Sequence, residues 1–220
     1  MIRLCWKAMR LLDADVLAGD VARGETLRLV MPRRYQLAWL QLMVGTVHEQ
    51  PQQDAAIWLQ TPEMNVESGS SVFSRHVACL LHQHGALANL SVRENLLLPF
   101  LYGGMADDIA RANDLLPEVA DWLEIGDMLD EQVGERSSYT HILISLGRAV
   151  LAQADILLVQ DAHVGMQTHQ LQRLHVLFGE ALARLGAGVL YLSSSEQDGL
   201  SIDFCRSLTL LGDSLGGELA

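Results

Sequence analysis

The stretch Ile144-Ser-Leu-Gly-Arg-Ala-Val-Leu-Ala-Gln-Ala-Asp-Ile-Leu-Leu-Val159 carries two signals in sixteen residues. Its first part continues a helix-like run that leads from Ser137 to Ala154. Its end, Asp155-Ile-Leu-Leu-Val159, is a short apolar run of the kind buried on both faces of a parallel sheet. Arg148 and Asp155 interrupt the most apolar region, Ile142 to Val159, and exclude a membrane-spanning helix there.

The same alternation extends in both directions. Gly24-Glu-Thr-Leu-Arg-Leu-Val30 reads as a turn followed by a strand. Met31 to Gln36 then leads to an apolar helical stretch, Leu37 to Val44, stopped by Gly45. Residues 51–72 are polar and turn-rich, with a strand at Ala55–Leu59, and His76–Leu81 is a further strand. Residues 91–133 are expected to be helical. Ser91 and Glu94 form a capping box, Pro99 should disturb the helix it opens, and a second helix is expected from about Asp107 to Leu123. Leu171–Leu185 is a helix closed by Gly186, and Gly188–Leu192 and Ser207–Leu211 are strands. Strands alternating with helices predict an α/β fold with a largely parallel sheet.

Composition narrows the function classes. The chain has 220 residues, half of them hydrophobic and 19% charged, as expected of one globular domain. Its net charge of −12 provides no cationic surface for phosphates, so nucleic acid is not an expected partner. Lys7 is the only lysine, and every other cationic side chain is Arg. The three cysteines, Cys5, Cys79 and Cys205, are widely spaced without a CxxC and read as buried free thiols. The histidines, among them His82, His84, His163, His169 and His175, show no metal-ligand spacing and read as surface or loop residues, so no metal site is expected. The N-terminus lacks the pattern of a signal peptide, and a soluble, cytoplasmic protein is expected.

The order of these segments resembles that of the ABC ATPase family over nearly the whole chain. Leu81-His-Gln-His-Gly-Ala-Leu-Ala-Asn-Leu-Ser-Val-Arg-Glu-Asn-Leu-Leu-Leu-Pro99 is similar to the family's Q-loop and its continuation, with Gln83 at the glutamine. Its flavour resembles the bacterial ATPases of phospholipid and organic-solvent-tolerance transporters. The stretch from Ile144 to Val159 is similar to the helix after the family's signature and the Walker B strand, with Arg148 at the family arginine. The resemblance implies a P-loop NTPase-like core with an N-terminal antiparallel β part. It also implies one domain over residues 1–220 and a helical subdomain at about 91–135.

The positions where the resemblance places ATP chemistry are altered. A P-loop wraps glycine backbone around phosphates, and its Lys and Ser/Thr serve the γ-phosphate and Mg²⁺. The corresponding stretch, Val30 to Trp39, contains no glycine; Gln36 or Leu37 falls at the lysine and Ala38 or Trp39 near the hydroxyl. Arg33 and Arg34 remain as cations that could attract an anion, with an ordinary solvated pair the favoured reading. At the signature, Ser137 keeps the serine while Ser138 and Tyr139 replace glycines, and Ser137 reads best as a helix cap. At Walker B, Gln160 takes the place of the Mg²⁺ aspartate and Asp161 that of the catalytic glutamate. The D-loop aspartate position falls near Gln167 and the switch histidine at Ser194. Trp6 stands where an adenine-stacking aromatic could lie, with packing an equal reading.

These readings lead to a degenerate, pseudo-ATPase subunit with no ATP or Mg²⁺ requirement. It would dock on an inner-membrane ABC permease, for lipid or hydrophobic-compound transport, from the cytoplasmic face. The expected docking residues are Gln83, His84, Leu87, Leu90, Glu94 and Tyr102. Pairing with a second copy or with another ABC ATPase follows from the resemblance. Two alternatives stand beside it: a residual ATPase using Asp161, Gln83 and the Arg33–Arg34 pair, and a regulatory scaffold whose old cleft binds protein.

Overall fold

The computed structural model describes residues 1–44, 57–81, 85–101, 106–134, 136–196 and 202–210. The chain opens with four short strands, β1 (Arg3–Trp6), β2 (Met9–Leu11), β3 (Ala14–Val16) and β4 (Gly19–Ala22). Then follow β5 (Thr26–Val30), α1 (Arg33–Val44), β6 (Ile57–Gln60), β7 (Asn65–Glu67), α2 (Ser71–His76) and β8 (Val77–Leu81). Helices α3 (Val92–Leu101), α4 (Ala106–Trp122) and α5 (Ser138–Leu151) precede β9 (Ile156–Gln160). The described part ends with α6 (Thr168–Leu185), β10 (Gly188–Ser193) and β11 (Arg206–Thr209).

Five of the strands make a parallel sheet in the order β11-β5-β10-β9-β8. A second sheet, β4-β1-β6-β7, is antiparallel, and β2 and β3 form a separate hairpin. Strand alternation divides the core in two. Leu157, Val159, Val189 and Tyr191 pack toward α3–α6, while Ile156, Leu158, Leu190 and Leu192 pack toward α1 and the antiparallel sheet. Because neighbours on a strand point to opposite faces, both faces of β9 and β10 must be apolar, and both strands are buried throughout.

Gly186 ends α6 in the left-handed conformation, at φ 59°, which a residue without Cβ reaches at little cost. At Gly188 a Cβ would lie 2.2 Å from the carbonyl oxygen of Ala22, so glycine there lets the two sheets approach backbone to backbone.

Three expectations are corrected. Helix α1 begins at Arg33, four residues before the apolar stretch, because Pro32 supplies the first acceptor: the amides of Tyr35 and Gln36 both donate to its carbonyl, at 2.9 and 3.3 Å. Pro99 does not disturb α3, which runs on to Leu101. Proline removes the N–H that would bond the carbonyl four residues back, and Arg148 Nε takes that carbonyl, of Asn95, at 2.6 Å instead. Of the thiols only Cys5 is buried; Cys79 on the edge strand β8 and Cys205 ahead of β11 are exposed. Among the described residues, no group of three or more His, Cys, Asp or Glu is arranged to hold a metal, and no helix is long and apolar enough to cross a membrane. His163 lies in the loop after β9 with its Nδ1 3.3 Å from the Tyr191 hydroxyl, and His175 is half-buried on α6 rather than in a loop.

Candidate functional site: the cleft at the ends of β5, β9 and β10

Three parallel strands deliver the site's residues. Strand β5 ends at Val30, and only Met31 and Pro32 separate it from α1. The amide of Met31 donates to the carbonyl of Ser193 at the end of β10, at 2.9 Å, which holds this short connection against the sheet. The first turn of α1 therefore sits directly over the strand ends.

Gln36 points from that turn toward the C-terminal ends of the strands and is fully buried. Its Nε2 donates to Met31 O at 2.9 Å and to Ser194 Oγ at 3.2 Å. Its Oε1 accepts from Gln160 Nε2 at 3.1 Å, and the same Gln160 nitrogen donates to Asp161 Oδ2 at 3.1 Å. Arg33 Nε lies 3.8 Å from that Asp161 oxygen. Asp161 is buried, has a positive φ of 48°, and starts a turn in which Val164 N donates to its carbonyl. Arg33, Gln36, Gln160, Asp161 and Ser194 thus meet in one network, with one cation and one carboxylate.

Arg34 does not join it. Its guanidinium turns to the β2–β3 hairpin, reaching Asp13 Oδ2 at 3.2 Å and the Tyr35 hydroxyl at 2.5 Å. The Tyr35 hydroxyl donates to Asp13 at 2.5 Å. That hydrogen bond is the main reason the Asp13 carboxyl lies below the usual carboxylate range and the Tyr35 phenol above its own. Tyr35 is buried, so it packs α1 on the hairpin and does not stand in the cleft. Trp6 is buried too, edge-on to Trp39 with ring centroids 5.3 Å apart and its Nε1 donating to Leu17 O. Its ring is walled in and open to no stacking partner.

Ser137 lies apart from this cleft, as the N-cap of α5, its Oγ accepting from Thr140 N. Tyr139 is half-buried against the core. Gln167 caps α6, its amide donating to Gln170 Oε1 at 3.0 Å. Of the expected docking residues, Gln83, His84 and Tyr102 lie outside the described residues. Leu87 is 47% exposed, Leu90 is partly buried, and Glu94 is exposed. The Glu94 carboxylate accepts from Ser91 N at 2.7 Å while Ser91 Oγ accepts from Glu94 N at 3.1 Å; the Ser91 backbone N–H first, and the Ser91 hydroxyl second, hold the carboxyl below its usual range.

Asn95 is the residue the sequence reading passes over. It is fully buried. Its Oδ1 accepts from Leu87 N at 2.8 Å and from Arg148 Nη2 at 2.7 Å; its Nδ2 donates to the carbonyls of Leu87 and Ser91 at 2.9 and 3.0 Å. Its partners are mostly backbone groups, so no pairing of side chains in the sequence signals it.

The chain matches no established family model. It is 21% identical over 178 residues to the lipoprotein-releasing system ATP-binding protein LolD of Bacteroides thetaiotaomicron, covering 80% of this chain and 81% of that protein. It is 26% identical over 154 residues to a macrolide export ATP-binding/permease protein of Aeromonas hydrophila, covering 67% of this chain and 23% of that longer protein. Among solved structures, an ATP-binding subunit of an ABC transporter superposes with a TM-score of 0.66 at 15% identity, over 88% of this chain and 79% of that one. The chain has the fold of an ABC nucleotide-binding domain. A second ATP-binding cassette of an ABC transporter, in its ADP conformation, superposes with a TM-score of 0.64 at 13% identity, over 87% of this chain and 80% of that one. The cleft network brings together Gln36 of α1, one of the two residues that the sequence resemblance aligns with the lysine, and Gln160, Asp161 and Ser194, which it aligns with the Mg²⁺ ligand, catalytic carboxylate and switch histidine.

Proposed function

We propose that this ABC-type domain is a pseudo-ATPase subunit: it docks on a membrane permease and performs no nucleotide hydrolysis of its own. One observation carries the reading. The polar atoms of Gln36, Gln160, Asp161 and Ser194 bond to one another across the cleft. Phosphoryl transfer depends on positioned cations and backbone amides around the phosphates. A connection of two residues, one of them proline, offers little backbone to wrap a phosphate. Gln160 brings an amide where Mg²⁺ binding favours a carboxylate. The residues present therefore do not fit Mg-ATP.

The docking half of the reading rests on the exposed apolar groups Leu87 and, at the end of α3, Leu101, 56% exposed. The relatives named for lipoprotein release and macrolide export favour a permease that handles lipidated or hydrophobic cargo. The chain would lie on the cytoplasmic face and pair with a second ATPase-type subunit.

Titration calorimetry with Mg-ATP tests the nucleotide half. No saturable heat up to about 1 mM is expected. Micromolar saturation would replace this reading with that of a residual ATPase.

A further inference from the structure

The loop that carries Leu87 is fastened from beneath by a cation that pairs with no carboxylate among the described residues. Arg148, on α5, gives Nη2 to Asn95 Oδ1 and Nε to Asn95 O, at 2.7 and 2.6 Å, and Nη1 to Gly85 O. All three acceptors are neutral. A partly buried guanidinium with no counter-charge among the described residues is costly unless its hydrogen bonds are well satisfied, and desolvation pulls this one down to about 10, still charged at neutral pH. Its planar fork reaches three acceptors that a lysine could not hold together. Pro99 completes the arrangement, since its missing N–H leaves the Asn95 carbonyl open to Arg148.

A second set of bonds runs along the same loop. Gly134 N donates to Ala88 O at 2.9 Å, Val133 N to Leu90 O at 3.0 Å, and Val92 and Arg93 donate back to Glu131 O and Leu129 O at 3.0 and 2.8 Å. Residues 129–134 lead to Ser137, the cap of α5. The loop is thus tied to the last turn of α5 through Arg148 and to the stretch just ahead of its start through residues 129–134. About 15 Å of rigid helix separates those two attachments. Neither attachment includes a residue of the cleft network.

We infer that Asn95 and Arg148 are positioning residues: they fasten loop 85–91 in its docking shape to the last turn of α5, while residues 129–134 join it to the Ser137 end, independently of the nucleotide cleft. The inference rests on the docking reading for what the loop meets, but not for the clamp itself. A partner seated on Leu87 then acts directly on the segment Ser137–Thr140, with no nucleotide needed to set the surface.

The clamp is tested on the isolated chain by hydrogen–deuterium exchange in wild type, Arg148→Lys, Asn95→Ala and, as the cleft control, Gln36→Ala. In Arg148→Lys and Asn95→Ala, exchange over 85–91 should rise about ten-fold or more while strand 156–160 stays protected. Gln36→Ala should leave 85–91 unchanged. If 85–91 does not respond in Arg148→Lys, the milder change, or responds equally to Gln36→Ala, the inference fails. Docking is read separately, as retention on inside-out membrane vesicles of the source cell with and without Mg-ATP. Retention that falls about ten-fold in Arg148→Lys and ignores Mg-ATP supports the positioning role, and retention equal to wild type overturns it. Absence of wild-type retention would remove the docking reading and leave the exchange result standing.

Discussion

Gln160 at the end of β9 and Gln36 in α1 meet side chain to side chain at 3.1 Å, and between them they close the C-terminal end of the parallel strands β5, β10 and β9. Gln36 also satisfies Met31 O and Ser194 Oγ. Replacing it with leucine would leave a buried amide on Gln160 with one partner fewer and a buried carbonyl on Met31 without its side-chain donor. Such losses cost about 1–3 kcal/mol. The urea midpoint of Gln36→Leu should fall accordingly, and an unchanged midpoint would mean the network contributes nothing to stability.

Restoring ATP chemistry by point substitution should fail. Gln36→Lys with Gln160→Asp returns a lysine and a carboxylate to the cleft, yet Met31 and Pro32 remain the whole connection to α1. Without a loop of backbone amides, the phosphates lose the cradle that makes the lysine useful. Calorimetry with Mg-ATP should stay silent for the double variant. Saturable binding would show that the cleft lacks only two side chains and not a loop.

Strands β9 and β10 announce themselves because both faces are buried, which leaves uninterrupted runs such as Ile156–Val159. Helix α6 is bounded by Gly186, and α3 by the Ser91–Glu94 pair, because those ends are set by residues close in sequence. Strands β1 to β4 have no such signal: each has three or four residues, and β1 finds its partner β6 some fifty residues away. Asn95 is silent for a related reason, since its environment is built from the backbone of 87–91 and a guanidinium 53 positions on. In the cleft, the residue types at Gln36 and Gln160 are visible in the sequence, but their bond to each other is not.

His141 gives the stability a pH dependence of known sign. Burial first, and then the charge of Arg148, hold its pKa below the usual histidine value, and its Nε2 is buried without a hydrogen-bond partner among the described residues. The folded state therefore favours the neutral ring, while the unfolded chain takes up a proton near pH 6.5. Stability tied to this group is complete above that value and is lost as pH falls below it. The urea midpoint should drop between pH 7.5 and 5.5, and His141→Gln should drop less. Equal slopes for the two proteins would rule out this assignment. His175, shifted the same way by burial, accounts for residual slope.

Cys205 should be the more reactive of two contrasting thiols. Its sulfur lies 3.4 Å from the Thr26 hydroxyl, whose proton it shares with Asp203 O at 2.7 Å, and this contact, with the backbone hydrogen bonding at Thr26, lowers the exposed thiol below its ordinary value. Cys5 is buried, and desolvation raises it. Because the thiolate is the nucleophile, iodoacetamide at neutral pH should label Cys205 in the folded chain and reach Cys5 only on unfolding. Thr26→Val removes the hydroxyl while keeping the β-branched shape that suits the start of β5. It should slow labelling of Cys205 several-fold, with labelling of Cys5 still confined to the unfolded chain. If Cys205 in folded Thr26→Val reacts at the wild-type rate, exposure alone governs its reactivity and the hydroxyl plays no part.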